Sequence, residues 1–133
     1  MESQQNPPST TPEPTEPNQA TVSNEIDIET FAKVQFRVAT IEHVEQIPKS
    51  KKLYKIQVDL GPLGKRQIVS GIALHYTPEQ LVGRQIVVVA NLKPATLMGV
   101  ESHGMLLAAS TESVDVLSLL SPDKPIVAGA QVR

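Results

Sequence analysis

Tyr54-Lys55-Ile56-Gln57-Val58-Asp59-Leu60-Gly61-Pro62-Leu63-Gly64-Lys65-Arg66-Gln67-Ile68-Val69-Ser70 reads as two strands and the turn between them. Tyr54, Ile56, Val58 and Leu60 alternate with Lys55, Gln57 and Asp59, the period-two pattern of a half-buried strand. Gly61-Pro62-Leu63-Gly64 breaks the chain and Lys65 resumes it, so the stretch predicts a β-hairpin. Gly61-x-x-Gly64 in isolation could be a phosphate or nucleic-acid loop. Pro62 inside it and strands on both sides favour a turn.

The same period extends outward. Val34, Phe36 and Val38 alternate with Gln35, Arg37 and Ala39, predicting a strand that continues to about Val44. Before it, Asp27 to Lys33 fits one or two helical turns capped by Asp27. Gly71 ends the third strand. Tyr76 to Gly83 reads as a short helix, with Thr77 as cap, Pro78 in the first position and Gly83 as stop. Arg84 to Ala90 is β-branched and apolar on both faces, as in a covered central strand. Further strands are expected from Gly104 through Ala109 and within Val114–Leu119, and Pro122 to Arg133 carries turn formers and a small apolar patch. Five or more short strands with one intervening helix predict an all-β protein, a small antiparallel barrel whose closure removes the exposed edges of Val-rich strands.

The chain has 133 residues, the size of one ordinary domain, with 12 Lys+Arg against 14 Asp+Glu and a formal charge of −2. Its averages hide two unlike segments. Residues 1–24 hold five prolines and three glutamates and no Lys, Arg or Gly, so a disordered Pro/Thr/Glu-rich tail is expected there. Residues 25–133, the expected folded domain, then carry 11 acidic against 12 basic residues, +1 in all. A uniformly basic coat is excluded, and nucleic-acid contact must come from a local cluster.

The absence of cysteine rules out disulfides, thiolate metal sites and a thiol nucleophile. Apolar runs such as Ile86–Ala90 fall far short of the roughly 20 residues of a membrane helix. Met1-Glu2-Ser3-Gln4-Gln5 lacks the basic start and apolar stretch of a signal peptide, so a soluble, cytoplasmic protein with no membrane association is expected. His43, His75 and His103 show no metal-ligand spacing, Ser70 lacks a nucleophile elbow, and no Walker-type run exists. Neither an enzyme nor a metal or other cofactor is expected.

Polar residues stand in unusual places. Asn91-Leu92-Lys93-Pro94 directly follows the most apolar strand, where a barrel would place a loop at its mouth. Gly99-Val100-Glu101-Ser102-His103-Gly104-Met105 brackets polar side chains with glycines. Lys49-Ser50-Lys51-Lys52 is a compact basic run that Lys55 continues onto the second strand. A glycine-punctuated loop and a solvated charge run are the plain alternatives.

Phe36-Arg37-Val38-Ala39, Lys52-Leu53-Tyr54-Lys55-Ile56, Gln67-Ile68-Val69-Ser70-Gly71-Ile72, Val88-Val89-Ala90-Asn91-Leu92-Lys93-Pro94 and Gly99 through Ala109 occur in that order. Together they resemble the tRNA-binding module of free-standing bacterial tRNA-binding proteins, a module that also closes many bacterial methionyl-tRNA synthetases. The resemblance covers about residues 26–133. It implies an oligonucleotide/oligosaccharide-binding (OB) barrel that binds tRNA by shape and works as a homodimer, with an aminoacyl-tRNA synthetase as a further partner. Two positions depart from the pattern, Thr96-Leu97-Met98 where a basic residue is common and His103 before Gly104.

Within that reading Lys51, Lys52, Lys55 and Lys93, with Arg37, would contact phosphates. Asn91, Ser102 and His103 would hydrogen-bond sugar or base edges, with Met105 packed beneath them, and Ser70 would line the groove or satisfy the barrel backbone. Single-strand binders need rows of aromatic platforms, and the folded part has only Phe31, Phe36, Tyr54 and Tyr76. Structured RNA, read largely by shape, is therefore favoured. Two alternatives remain: a trans-acting tRNA-binding appendage of methionyl-tRNA synthetase, and a peptide-binding, export-chaperone-like module.

Overall fold

The computed structural model describes residues 24–133, so all of the expected tail except Asn24 lies outside the described residues. The chain divides into two units, one ending at Lys33 and the other Val34–Arg133. In the first, α1 (Ile28–Phe31) is a single turn whose cap, Asp27, accepts the Thr30 N–H at 2.8 Å. That bond favours the ionised carboxylate and holds the Asp27 pKa below its ordinary value.

The second unit is built on β1 (Phe36–Gln46), β2 (Tyr54–Asp59), β3 (Lys65–Ser70), β4 (Gln85–Val89) and β7 (Met105–Leu106). They pair in the order β3-β2-β1-β4-β7, every pair antiparallel. The predicted hairpin is β2 and β3, in register from Tyr54↔Ser70 to Asp59↔Lys65, with the turn at Gly61–Leu63 wound as one 3₁₀ turn. The far edges approach each other as well. His103 N–H donates to the Gln67 carbonyl at 2.7 Å, which makes the sheet an almost closed barrel of the OB type.

β1 is long because it serves two partners. Phe36 to Thr40 pair with β4, and Thr40 to Gln46 pair with β2. Between Ile41 and His43 the register shifts by one residue, a bulge at Glu42. The extra residue lets Ile41 and Val44, three apart, both face the core. It also turns Glu42 outward, where its carboxylate meets Lys65 Nζ at 2.7 Å and raises the Lys65 pKa.

The core follows from the alternation. Ile56, Val58 and Leu60, Ile68, Ile86 and Val88 are almost wholly buried. α2 (Pro78–Leu81) closes over this core with Leu81, and its ends are as predicted: Thr77 and Gln80 form a capping box, Pro78 opens the helix and Gly83 has positive φ.

Three features differ from the sequence reading. Gly104–Ala109 is not one strand. It is β7 and then β8 (Ala108–Ser110), which pairs with β9 (Leu117–Leu119) in a separate two-stranded sheet. The stretch read as loop between Pro94 and His103 is a hairpin, β5 (Ala95–Leu97) with β6 (Val100–Ser102). The C-terminal patch returns as β10 (Gln131–Val132) to pair with the start of β1.

Candidate nucleic-acid interface

On β2 the buried Tyr54, Ile56 and Val58 alternate with Lys55, Gln57 and Asp59, so these polar side chains point away from the core. Lys55 pairs in register with Glu45 and lies 3.4 Å from its carboxylate. Gln57 Nε2 donates to Gln67 Oε1 at 2.9 Å, and Gln67 Nε2 donates to the Glu101 carbonyl at 2.8 Å. This amide relay crosses β2, β3 and β6 and ties the outer face together. His103 lies at its edge, half-buried.

Ser102 is buried and its hydroxyl is used twice. It accepts the Val69 N–H at 2.9 Å and donates to the Gly104 carbonyl at 3.1 Å. It therefore fixes the positions of His103 and Met105. Met105 pairs with Val89 and is 49% exposed, standing on the surface where the sequence reading packs it beneath the polar groups.

The basic residues fall into two groups near Ser70 and near Arg66 on β3, about 14 Å apart for the four strand steps of about 3.4 Å between them. Near the Ser70 end, Lys51 and Lys52 lie exposed in the loop before β2, as far along the barrel as Tyr54, the register partner of Ser70. The loop backbone is held by Gln46 Nε2, which donates to the Lys51 carbonyl at 3.3 Å, and by Ala73 N–H, which donates to the Lys52 carbonyl at 3.0 Å. Ser70 is half-buried on the core-facing side.

Near the other end are Asn91, Lys93 and Arg37. Asn91 Oδ1 accepts the Gln35 N–H at 2.9 Å, and Gln35 O accepts the Ala90 N–H at 2.8 Å, so β4 leaves the barrel with a fixed exit. Lys93 is exposed just beyond. Arg37 is half-buried and shares the inward row of Ala39 and Ile41, and its Nη1 donates to the Gly129 carbonyl at 3.2 Å.

The sequence reading missed Arg66, Gln57 and Gln67. Arg66 did carry a signal: it occupies an inward position of the Arg66, Ile68, Ser70 row, where a charge needs a reason. The glutamines carried none, because their relay depends on strand pairing.

Both tyrosines work inside the barrel. Tyr54 Oη donates to the Tyr76 carbonyl at 2.7 Å, and Tyr76 Oη accepts the Leu119 N–H at 3.1 Å. Tyr54 is buried, and the half-buried Tyr76 ring has the Arg84 guanidinium 5.4 Å from its centroid. An open cleft of about 470 Å³ between Thr40, Arg84, Gln85 and the 121–125 segment holds none of the expected contact residues. No three His, Asp or Glu side chains among the described residues are grouped to hold a metal, and no helix there is long and apolar enough to cross a membrane.

A nearly closed five-stranded antiparallel barrel with lysines and polar side chains along β2, β3 and the adjoining loops is an OB-type nucleic-acid-binding module. Residues 36–131 match the family described as putative tRNA binding domain, and the chain belongs to that family. It is 57% identical over 109 residues to the methionine–tRNA ligase of Thermotoga maritima, covering 82% of this chain and 17% of that protein. The chain thus spans about a sixth of the length of such relatives. Two solved structures match almost end to end. The MetRS related protein from Pyrococcus horikoshii superposes with a TM-score of 0.77 at 39% identity, covering 83% of this chain and 99% of that one. The chaperone CsaA from Bacillus anthracis gives 0.75 at 30% identity, covering 82% and 99%.

Proposed function

We propose that the chain binds folded tRNA, reading its shape and backbone, and catalyses no reaction itself. The observation that carries this reading is the match of residues 36–131, nearly the whole barrel, to the putative tRNA binding domain. The site chemistry supports it. Lys51, Lys52 and Lys93 are exposed for phosphates, Lys55 would exchange its Glu45 partner for one, and His103 and Met105 lie between the two basic groups. Arg37 joins the phosphate contacts. Ser102 and Asn91 act from behind, through the backbone they hold, and Ser70 lines the groove from β3. Without exposed aromatic rows on β1 to β3, loose single strands have no stacking surface, whereas A-form stems need none.

The protein works in the cytoplasm as a homodimer, a reading supported by the exposed apolar side chains Val114, Val116, Leu120, Ile126 and Val127. Its relation to methionine–tRNA ligases supports a synthetase partner, to which it would lend tRNA affinity in trans. The test is a gel shift with folded tRNA, unfolded tRNA and single-stranded DNA. Folded tRNA binds most tightly, and with four to six phosphate contacts log affinity falls with log salt at a slope of about −3 to −5. A flat response refutes the reading. The likeness to a protein described as a chaperone favours a second reading, a peptide-binding module. That reading requires stoichiometric peptide binding insensitive to salt, with no preference for folded tRNA.

A further inference from the structure

Arg66 and Arg37 both occupy inward rows of the barrel. Arg66 pairs with the buried Val58, and Arg37 pairs with the buried Val88. A charge turned toward a core is costly unless it is paired. Neither has an ion-pair partner among the described residues, whereas Lys55 meets Glu45 and Lys65 meets Glu42. Each arginine meets only a neutral carbonyl, Arg66 Nη1 donating to Ala90 at 2.7 Å and Arg37 Nη1 to Gly129 at 3.2 Å.

Both groups lie at the end of the barrel where β4 exits. Ala90 follows Val88, the register partner of Arg37, by two residues, and Lys93 follows Ala90 by three. The nearest acid in register, Asp59, is on the outward side opposite Lys65, and its Oδ1 is taken by the Gly61 N–H at 2.9 Å. Arg37 Nε is buried with no acceptor, and among the described residues no other side-chain nitrogen or oxygen is so placed. Two guanidinium groups without a carboxylate partner, one of them with an orphaned Nε, therefore belong to the same end of the barrel as the exposed Lys93.

We propose that Arg66 and Arg37, with Lys93 from the loop beyond β4, form a phosphate-binding site at this end of the barrel. The site rests on the tRNA reading, and its ligand is a backbone phosphate of the bound RNA. A phosphate fits because its oxygens match the planar guanidinium fork two at a time, and one seated between the arginines supplies the acceptor that Arg37 Nε lacks. The bond from Arg66 Nη1 to Ala90 fixes the guanidinium plane and leaves the Nε–Nη2 edge for the ligand. Part of the ordering cost of binding is thereby met in advance. The site also explains why the basic groups stand apart, since two phosphates about 14 Å apart can be held near Ser70 and near Arg66.

The test uses the full chain, a tRNA transcript and inorganic phosphate. Arg66→Gln removes the charge and keeps a polar, amide-ended side chain in the inward row. It should weaken tRNA binding about tenfold at moderate salt, reduce the salt slope by about one, and leave the melting temperature nearly unchanged. Arg66→Lys should restore the slope but only part of the affinity, because a point charge replaces a fork. Should Arg66→Gln fail to fold, Arg37→Gln takes its place with the same expected slope. Inorganic phosphate should compete with tRNA better than chloride at equal ionic strength, and the arginine variants should lose that difference. An unchanged slope with a lowered melting temperature overturns the proposal and leaves Arg66 a structural brace. Phosphate competition lost in the variants while their tRNA slope is unchanged also overturns it, assigning the arginines to a free anion. Wild-type protein that binds no tRNA overturns the functional reading first, a result distinguishable from both.

Discussion

Ser102 Oγ accepts the Val69 N–H at 2.9 Å, so a buried hydroxyl takes the place of a strand partner for β3. The same oxygen donates to the Gly104 carbonyl, and the two bonds join β3 to the turn that leads into Met105. Removing the hydroxyl leaves the buried Val69 N–H without its acceptor.

Ser102→Ala is therefore expected to lower unfolding free energy by about 1–3 kcal/mol, the usual cost of a buried donor left without an acceptor. Urea unfolding reads the loss. Affinity for tRNA should fall only as far as His103 and Met105 lose their positions, and low temperature should recover most of it. A variant with wild-type stability and weakened binding would instead place the hydroxyl on the RNA.

Lys93 and Asn91 separate charge from position. Lys93 is exposed beyond the exit of β4, so Lys93→Ala should weaken all RNAs alike, reduce the salt slope by about one and leave melting unchanged. The Asn91 side chain accepts the Gln35 N–H, so Asn91→Ala should cost about 0.5–1.5 kcal/mol of stability and leave the salt slope intact. If Asn91 also contacts RNA directly, the ratio of folded to unfolded tRNA affinity falls beyond what the loss of stability explains.

The parts of this fold readable in the sequence are those that local rules decide. Tyr54 to Leu60 alternates because one side of β2 is core, and Thr77, Pro78 and Gly83 mark α2 by the chemistry of helix ends. The β5–β6 hairpin escaped such rules. Its turn puts Met98 at φ 50°, a position where Asn or Gly would have been the signal, and all three residues of β5 are exposed, so no alternation marks it. The return of β10 to β1 joins residues almost a hundred positions apart. Among the candidate contacts, the lysines were readable as exposed charge. The bonding of the buried Ser102 hydroxyl was not, because it depends on which strand lies alongside, and Arg66 was marked only by its place in an inward row.

Self-association is expected from the surface. Val116 and Val127 are 61% and 73% exposed, and every residue of β8 is exposed. Burying such a patch against its own copy gives a two-fold pair, so light scattering should return twice the monomer mass at micromolar concentration. Val127→Asp should shift that mass toward the monomer without unfolding the barrel. A wild-type monomer would remove the homodimer reading.

A strap ahead of β10 closes the chain onto β1. Gly129 N–H donates to the Val38 carbonyl at 2.7 Å and Val38 N–H donates to the Ala130 carbonyl at 2.9 Å, placing the chain ahead of β10 along β1. At that point the strap passes the β2–β3 turn so closely that a Cβ on Gly129 would strike the Leu60 carbonyl, and one on Gly61 would strike the carbonyl of Ala128. Both glycines also have positive φ, 91° and 62°, so an alanine at either meets strain and collision together. Gly64, at φ 87° with open space where a Cβ would stand, meets strain alone. Gly64→Ala should therefore cost about 1 kcal/mol and Gly129→Ala about 2–4 kcal/mol, read by denaturant unfolding. Gly129→Ala should also speed amide exchange at Val38, whose acceptor it displaces, and loosen the carbonyl that holds Arg37. Equal losses in the two variants would mean that the strap yields readily and that the contact between Gly61 and Gly129 carries little of the barrel's stability.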